Sequence, residues 1–528
     1  MKKVFLIFML LFLVACNSEA IATVVPGELP AAALTAVPEQ AAEVVEQVLT
    51  AVPEQAPTEP TAVPEEPTVA PEPTVAPEPT VAPEPTAAPA PTFQIIGIAN
   101  RDPAQAAYAP SVTAGATTPG NPPTAWITWV ENFSGESRQV FASELVDGAL
   151  QPRGASLNIH TNVLADFPAI SFTGENNAVP WVVWQEPSSG FGNNPNIFAS
   201  RFNATSGLWI PAGQDRGSGE PSINSQTNRP ATNTALIGGS GDPAKPTSPW
   251  IAWEELGRLS NFTQIFVSKG VKDETGIGGF IWQQVGELRH NEEPTLNVDP
   301  FRHAFHPTIA FAETGNAVPW VAWYEDGAGR PLRIFTARGV ADANAPGGFK
   351  WVFTPACDPD ETACALNVNP LKDAEDPIMV AGSVTSGEAT VPWIVWPEIG
   401  PSGKFQIFVS RLDPATRNSF INVGGSLNVD QNQDAISPVM VFMGNVPYVA
   451  WLEDDGSGNF RTHLRHLASD PQTGTWTLDS PATGFDQDPA RSNSGLRIAA
   501  GTDTLYLTWV EGDPETEASQ VVLAQFQP

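Results

Sequence analysis

Seven times in this sequence a glutamate follows an aromatic-rich string ending in tryptophan by two residues, at Glu131, Glu186, Glu255, Glu325, Glu398, Glu453 and Glu511. Between them, short Ser/Thr/Ala–apolar–Asn strings end at Asn158, Asn224, Asn297, Asn367 and Asn428. Carboxylates and amides gathered on one face can hydrogen-bond the hydroxyls of a sugar or hold a cation. The same groups can instead serve the backbone, each Glu accepting loop N–H bonds and each Asn closing an Asx-turn. Recurrence in every copy weighs toward the backbone role, because ligand sites usually differ between repeats. These twelve residues are the candidate ligand face.

Other reactive groups are few. Cys357 and Cys364 enclose Asp358-Pro359-Asp360-Glu361-Thr362-Ala363. Two close cysteines in an exported domain are expected to form a local disulfide. Asp358, Asp360 and Glu361 are weak candidates for Ca2+, since the loop lacks the glycine and the length of an EF-hand. His303 and His306, like His463 and His466, stand three residues apart. That spacing in a strand points the rings to opposite faces, and no H-E-x-x-H helix accompanies it. No G-x-S-x-G, phosphate-binding loop or dinucleotide fingerprint is present. No sialidase-type Asp box is found. A glycosidase needs only two placed carboxylates, so cleavage of a glycan stays open as an alternative. No catalytic residue and no resident cofactor is assigned.

The elements that position these groups are strands. The strings AWITWVE, VPWVVWQE, SPWIAWEE, VPWVAWYE, VPWIVWPE, VPYVAWLE and LYLTWVE are short and rich in β-branched and aromatic residues. Their aromatics at i and i+3 point to opposite faces of a strand, so both faces are apolar. That suits a sheet sandwiched between two others. Strings such as QVFASEL, NIFASRF and QIFVSRL follow as hairpin partners, and a further strand carries Trp209, Trp282, Trp351, Phe420 or Trp476. The next unit opens on a proline, as in FPAISF, HPTIAF, DPIMVA and SPVMVF. The second tryptophans are 55, 69, 70, 73, 55 and 58 residues apart, enough for four strands and their loops. The reading is an all-β, seven-bladed β-propeller over residues 93–528. The last copy lacks its outermost strand, and FQIIGIAN at Phe93–Asn100 supplies one. The chain's two ends are therefore expected to close the ring in blade seven. The units resemble the repeat of bacterial surface β-propeller proteins, W-x-x-x-G-x-S-L-N followed by P-x-V-A-W-x-E. Blade six departs from it, with THLRHL for the usual hairpin strand and Asp486 for Asn.

Residues 1–16, MKKVFLIFMLLFLVAC, combine two lysines with an apolar run too short to span a bilayer. Leu13-Val14-Ala15-Cys16 resembles the lipobox of bacterial lipoproteins, which implies cleavage before Cys16 and acylation of its thiol. Residues 17–92 hold no Lys or Arg and end in VAPEPT repeats. Such a segment is expected to stay extended and disordered as a stalk, with a reach on the order of 100 Å. The 26 basic and 58 acidic residues leave a charge of −32, which argues against nucleic-acid binding. The expectation is a monomeric, exported lipoprotein, held in the cell envelope through Cys16. Its propeller would bind a glycan or a surface protein. A propeller hydrolase and a purely structural envelope component are the alternatives.

Overall fold

The computed structural model describes residues 91–528 apart from 134–136, 189–193, 216–219, 259–260, 290–291, 328, 358–363, 469–470, 472–473 and 514–517. Residues 1–90, with Cys16 and the stalk, lie outside the described part, as do Asp358, Asp360 and Glu361.

The described chain forms seven antiparallel sheets of four strands. Blades one to six run through residues 107–152, 166–211, 231–284, 304–353, 378–422 and 435–478. In each, the four strands follow one another in sequence order. Blade seven takes three strands from residues 493–527, and its fourth is Thr92–Ile98, paired with Gln520–Gln527. The first strands of successive blades touch, that of blade seven against that of blade one included. The fold is thus a seven-bladed β-propeller closed by its own N-terminal strand, with the first strands around a central channel.

The tryptophan strings are the second strands, and their packing explains the repeat. Trp126, Trp129, Trp181, Trp184, Trp250, Trp253, Trp320, Trp323, Trp393, Trp396, Trp451 and Trp509 are fully buried. Alternate side chains of one strand enter the two gaps flanking the blade, so each gap receives large rings from both sides. The outermost tryptophans add direct ties. Trp209, Trp282, Trp351 and Trp476 each donate Nε1–H to a carbonyl of the preceding blade's outer edge, at 2.9–3.1 Å.

Ring closure leaves Gln520–Gln527 covered on both edges. A chain starting at Asn100 would expose that strand as an unpaired edge. It is expected to melt at lower temperature and to self-associate, read by calorimetry and light scattering. Unchanged melting would show that the closing strand contributes nothing.

Candidate functional site

The seven glutamates and the asparagines lie on one face, as their places in the repeat require, but they are engaged with the protein. Trp and Glu two apart share a strand face. Trp129, Trp184, Trp253, Trp323, Trp396, Trp451 and Trp509 each donate Nε1–H to the following glutamate at 2.7–3.0 Å. Each carboxylate also accepts two consecutive backbone N–H groups from the crossover entering its blade. Ser225 and Gln226 serve Glu255 at 2.7 Å each, and Arg101 and Asp102 serve Glu131 at 2.8 and 2.9 Å. Glu186, Glu325, Glu398, Glu453 and Glu511 repeat the pattern. All seven are buried. Burial pushes the Glu186 and Glu255 carboxyls up to about 7, against the pull of these donors.

The asparagines clamp the same crossovers from the other side. Oδ1 of Asn158, Asn224, Asn297, Asn367 and Asn428 accepts a third-strand N–H at 2.8–3.1 Å. Asn100 does the same for Val521 in blade seven. Their Nδ2 groups donate to carbonyls, as Asn297 does to Thr263 and Arg302. The twelve residues proposed as a ligand face are therefore blade-to-blade latches. Their hydrogen-bonding capacity is spent on backbone groups that would otherwise be stranded.

The remaining sequence candidates separate. Cys357 and Cys364 are joined by a disulfide, with Cα atoms 4.6 Å apart. The paired histidines go to different partners: His303 to Thr263, His306 to Asp376, His463 to Ser480 and His466 to Asp479. Among the described residues no three His, Cys, Asp or Glu are grouped to hold a metal ion.

A different set of residues breaks the repeat at the channel. Each blade carries one residue at positive φ in its first strand, or just ahead of it in blade five: Ala109, Phe167, Asn233, His306, Asp376, Ser437 and Gly495, with φ of 46–60°. In six blades the strand pairing shifts register there, so a β-bulge turns this residue out of the ladder. Such a conformation is costly for a residue with a Cβ and concentrates at functional places. Two neighbouring positions vary with it. The residue before the bulge is Tyr108, Asp166, Thr232, Phe305, Glu375, Ile436 or Ser494. The residue between latch Trp and latch Glu is Val130, Gln185, Glu254, Tyr324, Pro397, Leu452 or Val510. Polar and ionisable groups thus crowd into blades two to five, while blades six, seven and one carry mostly small or apolar residues.

Within that sector the groups meet. Glu254, 3 % exposed, accepts Asn233 Nδ2–H at 2.9 Å and the His306 backbone N–H at 2.5 Å. His306 Nδ1 pairs with Asp376 Oδ1, and its ring lies edge-on to Tyr324 at 5.6 Å. The two partners' side chains remain 44 % and 39 % exposed. Desolvation opposes protonation of His306, but the Asp376 contact and the charges of Asp376, Glu254 and Glu375 outweigh it and raise its pKa to about 9. Desolvation, then Asp376, pushes Glu375 up to about 7, against His306. Arg497, on the first strand of blade seven, also feels the Asp376 carboxylate. Phe167 stands exposed in the same bulge ring. The set offers carboxylates, an imidazolium, a guanidinium and an aromatic ring: donors and acceptors for hydroxyls, and a face for C–H groups. The sequence reading missed it. Its one signal was the residue just ahead of the proline in blades one, two, four, five and six.

No family model matches this sequence, and no curated protein matches it. Among solved structures the chain is similar to a protein described as a glycoside hydrolase, at 9% identity and TM-score 0.33, over 56% of this chain and 89% of that one. It is also similar to a Penicillium chrysogenum α-L-arabinanase complexed with arabinobiose, at 13% identity and TM-score 0.39, over 67% and 92%. A Trypanosoma rangeli sialidase gives 10% identity and TM-score 0.39, over 79% and 70%. Likenesses at this level lend no argument about activity.

Two outcomes test the assignment. Glu255→Ala strands Trp253 Nε1–H and two backbone N–H groups, and is expected to cost about 3 kcal/mol or more in urea unfolding. A loss comparable to a surface substitution would remove the latch reading. The His306 imidazole should titrate near 9 by NMR, and Asp376→Asn should bring that midpoint down. Because the folded value lies above the ordinary 6.5, the pair's contribution to stability is complete below pH 6.5 and is lost as pH rises through about 9.

Proposed function

We propose that this protein is an exported, lipid-anchored binding module whose propeller holds a glycan at the mouth of the central channel. One observation carries the reading. In a ring whose latches recur almost unchanged, the bulge positions of blades two, four and five alone present Phe167, His306 and Asp376 partly exposed, with Glu375 next to Asp376 and the buried Glu254 holding the His306 backbone. A latch is reused because each blade has the same neighbour; a ligand site differs between blades because it fits one molecule. Carboxylates and an imidazole suit hydroxyl groups, and an exposed aromatic ring suits the C–H face of a sugar. The lipobox-like leader and the Pro-rich segment support display at a distance from a membrane.

A second reading, a glycan hydrolase, rests on Glu375. A carboxyl that burial, then Asp376, raises to about 7 keeps the proton that a general acid needs.

A glycan array probed with the purified protein tests the first reading. A specific hit is expected, with Phe167→Ala and Asp376→Asn each weakening binding at least tenfold; Phe167→Ala should keep the parent melting temperature, and Asp376→Asn should stay folded but melt lower through loss of its pair with His306. Absence of any hit, or a hit indifferent to both substitutions, removes the channel as the binding place. Release of reducing ends from the bound glycan, abolished by Glu375→Gln, would decide for the hydrolase.

A further inference from the structure

Blade six breaks the latch that six other crossovers share. Its exit carries Gly484-Phe485-Asp486 where its neighbours carry Ser/Thr/Ala–apolar–Asn. Its third strand carries His463 where blades one to five carry Phe141, Phe198, Phe266, Phe335 and Phe408. An amide is suited to the clamp because its oxygen accepts the strand N–H while its nitrogen donates to carbonyls. A carboxylate would confront those carbonyls with a second set of acceptors.

The structure replaces the clamp rather than leaving it open. Phe485 and Thr462 pair backbone to backbone, with N–H to O distances of 2.7 Å from Phe485 and 3.3 Å from Thr462. Asn493 Nδ2 donates to the Phe485 carbonyl at 3.1 Å and to Thr462 Oγ1 at 3.2 Å, filling the donor role. Gly484 permits the close approach: at φ +80°, a Cβ there would stand 2.6 Å from Arg461 Cβ. Asp486 is thereby released from the clamp and lines a cleft of about 880 Å³ between blades six and seven.

The cleft is shaped for a particular chemistry. Phe93, half-buried and stacked at 3.9 Å and 6° on the buried Phe485, gives it an apolar wall. His463 is only 4 % exposed, lies against Trp451 at 5.6 Å and shares Nδ1 with Ser480 Oγ at 3.2 Å. Its Nε2, beside Gly484, has no hydrogen-bond partner among the described residues. Burial, then the charge of Arg465, lowers its pKa to about 4, so the imidazole is neutral at physiological pH. The other charges are engaged: Glu453 by its latch, Asp430 by the N–H of Asn432, Asp454 by the N–H groups of Gly456 and Gly458, and Asp455 by Arg461. Arg461 spends its remaining donors on the carbonyls of Pro489 and Arg491. The surplus of carboxylates repels anions.

We infer that this cleft is a second ligand site, for a neutral sugar ring. The Phe93 ring, held by Phe485 behind it, takes its C–H face, and Asp486 and His463 Nε2 take its hydroxyls. The site is independent of the channel and does not rest on its reading.

The protein contains six histidines, so labelling the imidazoles alone with 15N gives a direct reporter. Glucose, galactose, mannose, N-acetylglucosamine and L-arabinose would be titrated in turn, with N-acetylneuraminic acid as the anionic comparison. At least one neutral sugar is expected to move the His463 Nε2 resonance saturably, leaving His306 unmoved. The anionic sugar is expected to move neither. The double variant F485L/D486N restores the residues of the other blades. It is expected to stay folded, with the His306 resonance at its parent position and a lower melting temperature from the lost Phe485 ring, and to weaken the neutral-sugar response at least tenfold. The proposal falls if no neutral sugar moves His463, if the response survives in F485L/D486N, if N-acetylneuraminic acid or Ca2+ alone gives the same shift, or if only His306 responds.

Discussion

A buried carboxylate that must be satisfied organises this propeller. Each latch glutamate sits in the gap between two blades, out of reach of bulk water, and is tolerable there only because three N–H donors converge on it. One donor is the indole two residues earlier on its own strand. The other two belong to the crossover arriving from the preceding blade. The glutamate therefore fixes the angle at which one blade hands the chain to the next. The asparagine just before those two N–H groups ties the same crossover back to the blade it leaves. Two side chains and a tripeptide thus join neighbouring blades, and six such joints, with the rebuilt one after blade six, close a circle.

This arrangement frees other positions. Once Trp, Glu and Asn hold the blades together, the bulge residues at the channel and the residues beside them have no part in the joints. They vary from blade to blade, and the variation is uneven around the ring. Asn233, Glu254, His306, Tyr324, Glu375 and Asp376 fall on one side, where their charges perturb one another. Blade six shows the converse. There a joint has been rebuilt with backbone pairing and Asn493, and the residue that would have been the clamp faces a cleft.

Much of the fold was legible because its determinants are local and repeated. Strand length, alternation and the Trp–x–Glu string recur seven times, and the missing outer strand of the last copy matched an orphan strand ahead of the first. The site was less legible. Glu131 and its six counterparts are the most conspicuous ionisable residues in the sequence, yet their regularity marks a structural duty. The channel cluster draws on Glu254, His306 and Asp376, from three blades, and nothing in their local strings joins them.

The sequence by itself determined the number of blades, the order of strands within them, the closure of the ring and the pairing of Cys357 with Cys364, because each follows from periodicity or short spacing. Only the tertiary structure decided which polar residues are spent and which are available. That depends on where crossovers meet strands of the next blade, on bulges that turn single residues into the channel, and on whether a carboxylate finds N–H donors waiting for it. Those are meetings between residues tens to hundreds of positions apart, such as Asn100 with Val521, and no local pattern records them.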